Sequence, residues 1–318
     1  MQEKQEKQEK LEKSRYRIAR RVLLFWTLFI GIGAVAGALC MLLDPSGRSV
    51  GMDGMLPYFQ VLPFSEVLFQ KLTFSGVALL LVNGLPNLCA AGLLLAGRKS
   101  GAVCGGIFGV TLMLWICIQF VIFPLNFMST IYFIFGLCQA ATGYAACVFA
   151  RQEAFSVREA DYPVVGTRPD RLVVYFSRMG YVRRQAYAEA NRTGAALYEI
   201  RSTERTAGTL GFWWCGRYGM HHWAMPIEPV GVDLTQYAHV TICAPIWVFG
   251  LASPVRAFCR EVGGKIREAD YILVHHTGAL YENAAREMDD ALGLRHTALR
   301  SVQCHTGRFR VRGGKWEA

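Results

Sequence analysis

The sequence predicts an α-helical membrane bundle of four transmembrane helices followed by an α/β domain built on a five-stranded parallel sheet. Three observations predict it: long runs almost free of charge in the first half, short β-branched runs alternating with helical patterns in the second, and a polar stretch punctuated by proline and glycine between them. Hydrophobic residues make up 53% of the 318, and they are unevenly spread. Between Val22 and Ala150 the only formal charges are Asp44, Arg48, Asp53, Glu66, Lys71, Arg98 and Lys99. On this reading residues 1–21 form a charged cytoplasmic tail, 22–150 the four-helix transmembrane domain, 151–170 a linker and 171–318 the α/β domain.

The runs Val22 to Leu43, Thr73 to Gly97, Ala102 to Phe123 and Leu125 to Ala150 are each long enough to cross a hydrocarbon core of about 30 Å as a helix. The first is longer than the apolar region of a signal peptide, and Cys40 follows Leu39 where a lipoprotein signal needs a small residue. Orientation follows from Lys and Arg near the helix ends. Arg15, Arg17, Arg20 and Arg21, then Arg98 and Lys99, then Arg151 and Arg158 mark three segments as cytoplasmic, so both termini and the α/β domain are expected inside a multi-pass cell-membrane protein. The opening repeat sets Glu3, Glu6 and Glu9 four residues before Lys7, Lys10 and Lys13, the favourable helical order for exposed ion pairs. The basic segment after it suits anionic headgroups.

Within the bundle, Asn83, Gly84, Pro86 and Asn87 should kink the second helix. Gln119, Asn126 and Gln139 offer further polar groups, for interhelical hydrogen bonds or for a ligand. The stretch from Met55 to Phe69 is too short to span and is expected at the outer interface or dipping into the bundle. No histidine precedes His221, so the bundle lacks imidazole pairs for haem. The ten cysteines show no spacing suited to zinc and read as reduced and structural.

In the second half, Arg171 to Phe176, Ala196 to Arg201, His239 to Ala244, Tyr271 to His275 and Ala298 to Cys304 read as strands, and Gly180 to Arg192, Pro254 to Val262 and Glu282 to Leu292 as helices. Ligands bind an open parallel sheet beyond the carboxyl ends of its strands. Three loops fall there: Ser177-Arg178-Met179-Gly180-Tyr181-Val182 after the first strand, Pro245-Ile246-Trp247-Val248-Phe249-Gly250 after the third, and His276-Thr277-Gly278 after the fourth. The first opens a helix whose free N–H groups suit a phosphate. Trp247, between Pro245 and Gly250, suits an aromatic platform, with filling of the core as the plain alternative. Adjacent His275 and His276 should point to opposite faces of the sheet.

VVYFSRMGY followed by CAPIWVFGLASPVRAF resembles the phosphate loop and first ring-flanking loop of the flavodoxin family, a likeness covering residues from about 171 to 304. The resemblance implies strand order 2-1-3-4-5 and bound FMN, with Ser177, Gly180 and Tyr181 at its phosphate, Trp247 flanking its ring, and Thr277 and Gly278 near the far edge. Where the family usually has threonines this chain has Met179 and Val182, leaving backbone N–H groups and Arg178 or Arg183 to hold the anion.

The stretch GFWWCGRYGMHHWAMP, between the second and third strands, is equally readable as a membrane-interface segment, a lid over the flavin or a hydrophobic plug. No nucleophile, triad or metal cluster is apparent, so no catalytic residue is assigned. Together these features predict a membrane-tethered FMN protein that exchanges electrons with a redox partner or small oxidant. The competing class is a transport or sensing bundle with a flavin-free regulatory domain. The net charge of +10 favours anionic membrane lipid over nucleic acid. Because a flavodoxin's last helix has no counterpart after the fifth strand, the linker, the bundle or another subunit is expected to cover apolar sheet surface.

Overall fold

The computed structural model describes the backbone of residues 2–124 and 126–317 and the side chains of residues 15–49, 51–124 and 126–317. Leu125, the expected first residue of the fourth run, and the side chains of the Glu–Lys pairs in the opening repeat lie outside the described residues. The chain divides into two compact units, one of Lys13–Ala150 and one of Arg151–Ala318 with which Met1–Glu12 are grouped.

The Lys13–Ala150 unit is built from α1 (Gln2–Leu43) from Lys13 onward, α2 (Ser65–Leu68), α3 (Thr73–Leu79), α4 (Leu85–Leu95), α5 (Ser100–Ile122) and α6 (Phe127–Ala154) as far as Ala150. The stretches Arg15–Leu43, Thr73–Leu95, Ser100–Ile122 and Phe127–Ala154 are long and apolar enough to cross a membrane. The expected kink is a turn of π-helix at Leu80–Gly84, between α3 and α4. Pro86 has no N–H for the helical ladder, and its ring crowds the preceding turn, so a locally widened turn accommodates it. Gln139 bonds between helices, its Nε2 donating to Asn87 Oδ1 at 2.7 Å and to the Gly105 carbonyl at 2.8 Å, while Asn87 Nδ2 donates within its own span to the Asn83 carbonyl. The stretch from Met55 to Phe69 falls in a 3-10 segment, Asp53–Val61, and in α2.

The second unit is an α/β sandwich. Its strands are β1 (Arg168–Tyr175), β2 (Ala195–Glu199), β3 (His239–Trp247), β4 (Gly250–Leu251), β5 (Ala269–His275), β6 (Ala298–His305) and β7 (Arg308–Val311). Its helices are α7 (Tyr181–Thr193), α8 (Gly208–Met220), α9 (Ser253–Glu261) and α10 (Glu282–Leu292). The sheet order is β2-β1-β3-β5-β6-β7, with β4 attached to β3. The five expected strands pair in parallel and in the expected order. The expectation of a purely parallel five-stranded sheet is corrected by two antiparallel additions: β7 folds back on β6, and β4 folds back on the end of β3. A polar, arginine-rich tail after β6 conceals the first, because only Phe309 marks a buried face.

Alternation along β1 explains the two cores. Leu172, Val174 and Phe176 join the cluster under α9 and α10, with Val255, Phe258, Ala285 and Met288. Val173 and Tyr175 face the other way, joining Val182, Ala186 and Ala190 of α7. On that second side Phe155, Val157, Tyr162 and Val165 of the linker pack against the cluster, which includes buried Phe309. The linker thus covers part of this face.

Candidate functional site

The chain leaves β1 through Ser177, Arg178 and Met179 and enters α7 at Gly180, whose φ of 82° is open to glycine without a steric cost. No side chain caps the helix, so its first N–H groups and positive end face the loop. Ser177 Oγ is buried there without a hydrogen-bond partner. An unsatisfied buried hydroxyl is costly, and beside a free helix N-terminus it is suited to an anion's oxygen. The remaining predicted residues of this loop divide. Val182 is buried in the core beneath α7, so its replacement of a hydroxyl takes nothing from the loop's exposed side. Arg178 turns away from the loop: Nε donates to the Thr206 carbonyl at 2.7 Å and Nη2 to the Gly208 carbonyl at 3.0 Å, and the guanidinium lies beside Met179 Sδ and over the Phe212 ring. Arg183 pairs with Glu159 of the linker at 2.8 Å. Arg184 lies over the Phe309 ring.

Tyr181 and Gly180 meet the linker instead. The Phe155 ring stands 4.8 Å from that of Tyr181, and a Cβ on Gly180 would fall 3.4 Å from it. Phe155 also occupies the space beside Gly307, where a Cβ would come within 2.7 Å. A lone phenylalanine in a polar linker carries no sequence signal of this placement.

The second loop is a hairpin. Pro245 and Ile246 belong to β3, and Trp247 pairs with Gly250 across a two-residue turn whose Val248 and Phe249 have φ of 47° and 63°. Positive φ at both central residues matches the twist of a tight hairpin, but a β-branched residue there is strained. Asn-Gly is the usual signal, and its absence hid the turn. Trp247 is half-buried and edge-on to Phe176, with ring centroids 5.5 Å apart. One edge of the side chain thus packs on the core while the rest is open. Gly250 is buried against the His222 ring, which a Cβ would approach at 3.0 Å.

The third loop is anchored from β6. His275 is buried, and its Nε2 lies 2.6 Å from Ser301 Oγ; that hydroxyl donates to the Ala279 carbonyl at 3.1 Å, so Nε2 carries the ring proton. Burial lowers the His275 pKa, opposed by a backbone contact from Thr277. His276 points outward as expected, donating from Nδ1 to the Cys304 carbonyl at 3.3 Å, and its ring lies 4.0 Å from that of His305. Thr277 Oγ1 shares a hydrogen bond with the Tyr281 hydroxyl at 2.8 Å, and a Cβ on Gly278 would have open space around it.

Sequence reasoning missed Arg256, which is buried on α9. It binds Glu287 of α10 through two nitrogens and donates to the Trp223 carbonyl at 3.1 Å, clamping the end of the insert. Near the loops, burial pushes the Cys215 thiol up to about 11, with Arg178 opposing, so it is protonated at neutral pH.

The strand order and the three loops at the carboxyl ends define an open, doubly wound α/β domain of the flavodoxin-like topology. No family model and no curated protein matches the chain. Among solved structures, the C-terminal half is similar to a flavoprotein from Lactobacillus acidophilus NCFM in complex with FMN, at 16% identity and a TM-score of 0.37, over 42% of this chain and 93% of that one. It is similar also to two proteins described as flavoproteins. One is from Bacteroides eggerthii DSM 20697, at 20% identity and 0.38 over 42% and 88% of the chains; the other is from Bacteroides uniformis ATCC 8492, at 19% identity and 0.38 over 43% and 92%.

Proposed function

We propose that the α/β domain binds FMN at the carboxyl ends of β1, β3 and β5, and that the chain is a membrane-tethered electron-transfer or oxidoreductase flavoprotein. The observation that carries this reading is the partnerless, buried Ser177 hydroxyl beside the uncapped N-terminus of α7, at the place where this topology takes a phosphate. Backbone N–H groups of the first turn and Ser177 would hold the phosphate, and Trp247 with the His276–Gly278 loop would flank the ring. FMN supplies the redox chemistry when bound; the chain's own contribution is to hold and orient it. In this reading the N-terminal segment, the Arg98–Lys99 connection and the α/β domain lie on the cytoplasmic side, by the Lys and Arg distribution. The electron partner is a membrane component or a small oxidant.

A second reading has two observations in its favour. Arg178 is committed to the insert, and the bundle carries a partly open apolar pocket of about 400 Å³ among residues such as Met55, Phe59, Trp115 and Phe123. Both suit a bundle that takes a lipophilic ligand under a flavin-free regulatory domain. The visible spectrum of the detergent-purified protein separates the two. Flavin absorption maxima support FMN; a colourless protein that takes up no added FMN supports the regulatory domain.

A further inference from the structure

Helix α8 carries its amphipathic order reversed. Gly208, Gly211, Cys215 and Gly219 recur at helical spacing and form the buried face. The fit is close: a Cβ on Gly211 would strike the Thr206 backbone, and one on Gly219 would meet the Val248 and Trp247 side chains at 3.2 and 3.3 Å. Small residues thus face the domain and large apolar ones face outward. Leu210 is 63% exposed and Trp213 69%, with Phe212, Met220 and Trp223 also exposed. Because Gly219 abuts Val248, the hairpin tip continues this surface, and its Phe249 is 72% exposed. Water-facing helices place such side chains inward, and a contiguous exposed cluster of them marks a surface that meets something.

The charge of the surface selects the occupant. No acidic residue lies between Glu204 and Glu228, whereas Arg205 and Arg217 are exposed; the Glu204 carboxylate reaches α8, accepting from Trp214 Nε1 at 3.0 Å, so the two arginines leave the face with a net positive charge. The Arg217 guanidinium lies over the rings of Trp214 and Trp223, at 5.5 and 5.8 Å. Tryptophan and arginine together are side chains that settle at the headgroup level of a bilayer: the rings lie among the upper acyl chains and the cations meet anionic lipid. A bilayer is also the partner nearest to hand, since the same chain carries four helices of membrane length. We propose that α8 and the Val248–Phe249 tip form a docking face that inserts into the headgroup region of an anionic bilayer. The exposure of its aromatic side chains favours the membrane-interface reading of this segment over the hydrophobic plug. Docking holds the loop of Trp247 at the lipid surface, and it stands whether or not a flavin is bound.

The test uses the full chain in nanodiscs of phosphatidylcholine alone and of phosphatidylcholine with one third phosphatidylglycerol, with hydroxyl-radical footprinting of Trp213, Met220 and Trp223. Expected is a fall in their oxidation rates by about fivefold in the anionic discs relative to the neutral ones, with Tyr237, at the amino end of β3, unchanged. Arg205→Gln with Arg217→Gln should remove most of that difference while leaving Tyr237 as before. Two results overturn the proposal. Free oxidation in both discs would point to a soluble protein as the occupant, and equal protection in both, unmoved by the arginine changes, would mean that the chain itself covers the face.

Discussion

The ring of Phe155 stands edge-on to that of Tyr181, at an interplanar angle of 64°, so the linker packs against the first residue of the helix that opens the proposed phosphate loop. Phe155 also touches Phe309 of the last strand. Replacing it with alanine removes a half-buried aromatic side chain that helps cover one face of the sheet. Phe155→Ala should lower the stability of the α/β unit by about 2 kcal/mol. Denaturant unfolding of the full chain, followed by the fluorescence of its tryptophans, would register the change as an earlier midpoint.

Strain in the hairpin predicts a gain. Val248 holds φ of 47° on a β-branched residue, and asparagine tolerates that conformation far better. Val248→Asn should raise stability by about 1 kcal/mol, read from the shift in denaturation midpoint. An unchanged or lower midpoint would mean that the valine side chain contributes more by packing on Gly219 than its backbone costs.

Arg256 predicts a loss that can be repaired. It is buried, and its charge is met by Glu287 and by the Trp223 carbonyl. Arg256→Met leaves the Glu287 carboxylate without its partner and should cost about 3 kcal/mol, whereas adding Glu287→Leu should restore most of it, since a buried ion pair is often replaceable by apolar groups of similar volume. A double-mutant cycle measures the coupling.

Acidification should weaken the unit through His275. Burial holds its pKa below the ordinary value of 6.5. The unfolded chain therefore takes up a proton that the folded protein resists, and stability falls as pH drops below about 6.5, levelling off only below the folded-state pKa. His305 is shifted the same way, by burial and then by His276 and Arg310, so His275→Gln should flatten the slope without abolishing it. Midpoints compared at pH 7.5 and pH 5.5 give the slope.

The five parallel strands and the positions of the three loops were legible in the sequence because β-branched runs alternate with helical patterns, whereas the strand order came from the resemblance to the flavodoxin family. Helix α10 begins and ends at Glu282 and Leu292, as its spacing predicts. The kink before Pro86 was legible for the same local reason. What escaped were features made by distant residues. The destination of Arg178 depends on carbonyls of Thr206 and Gly208, and the burial of Arg256 depends on Glu287 and Trp223, distant in sequence, closing around it. Strand β7 escaped because its only buried apolar side chain is that of Phe309. Helix α8 escaped because its buried face is glycine and cysteine, so its hydrophobic pattern points outward.

The most direct measurement of the central claim is the affinity of the flavin-stripped full chain for FMN against riboflavin, which differ only in the phosphate. If Ser177 and the N-terminus of α7 hold that phosphate, FMN should bind about 100-fold more tightly than riboflavin. Ser177→Val should weaken FMN by about tenfold, the order expected for a hydrogen bond to a charged group, while leaving riboflavin unchanged. Equal affinities for the two flavins, or a Ser177→Val change that weakens both alike, would contradict a phosphate site at this loop.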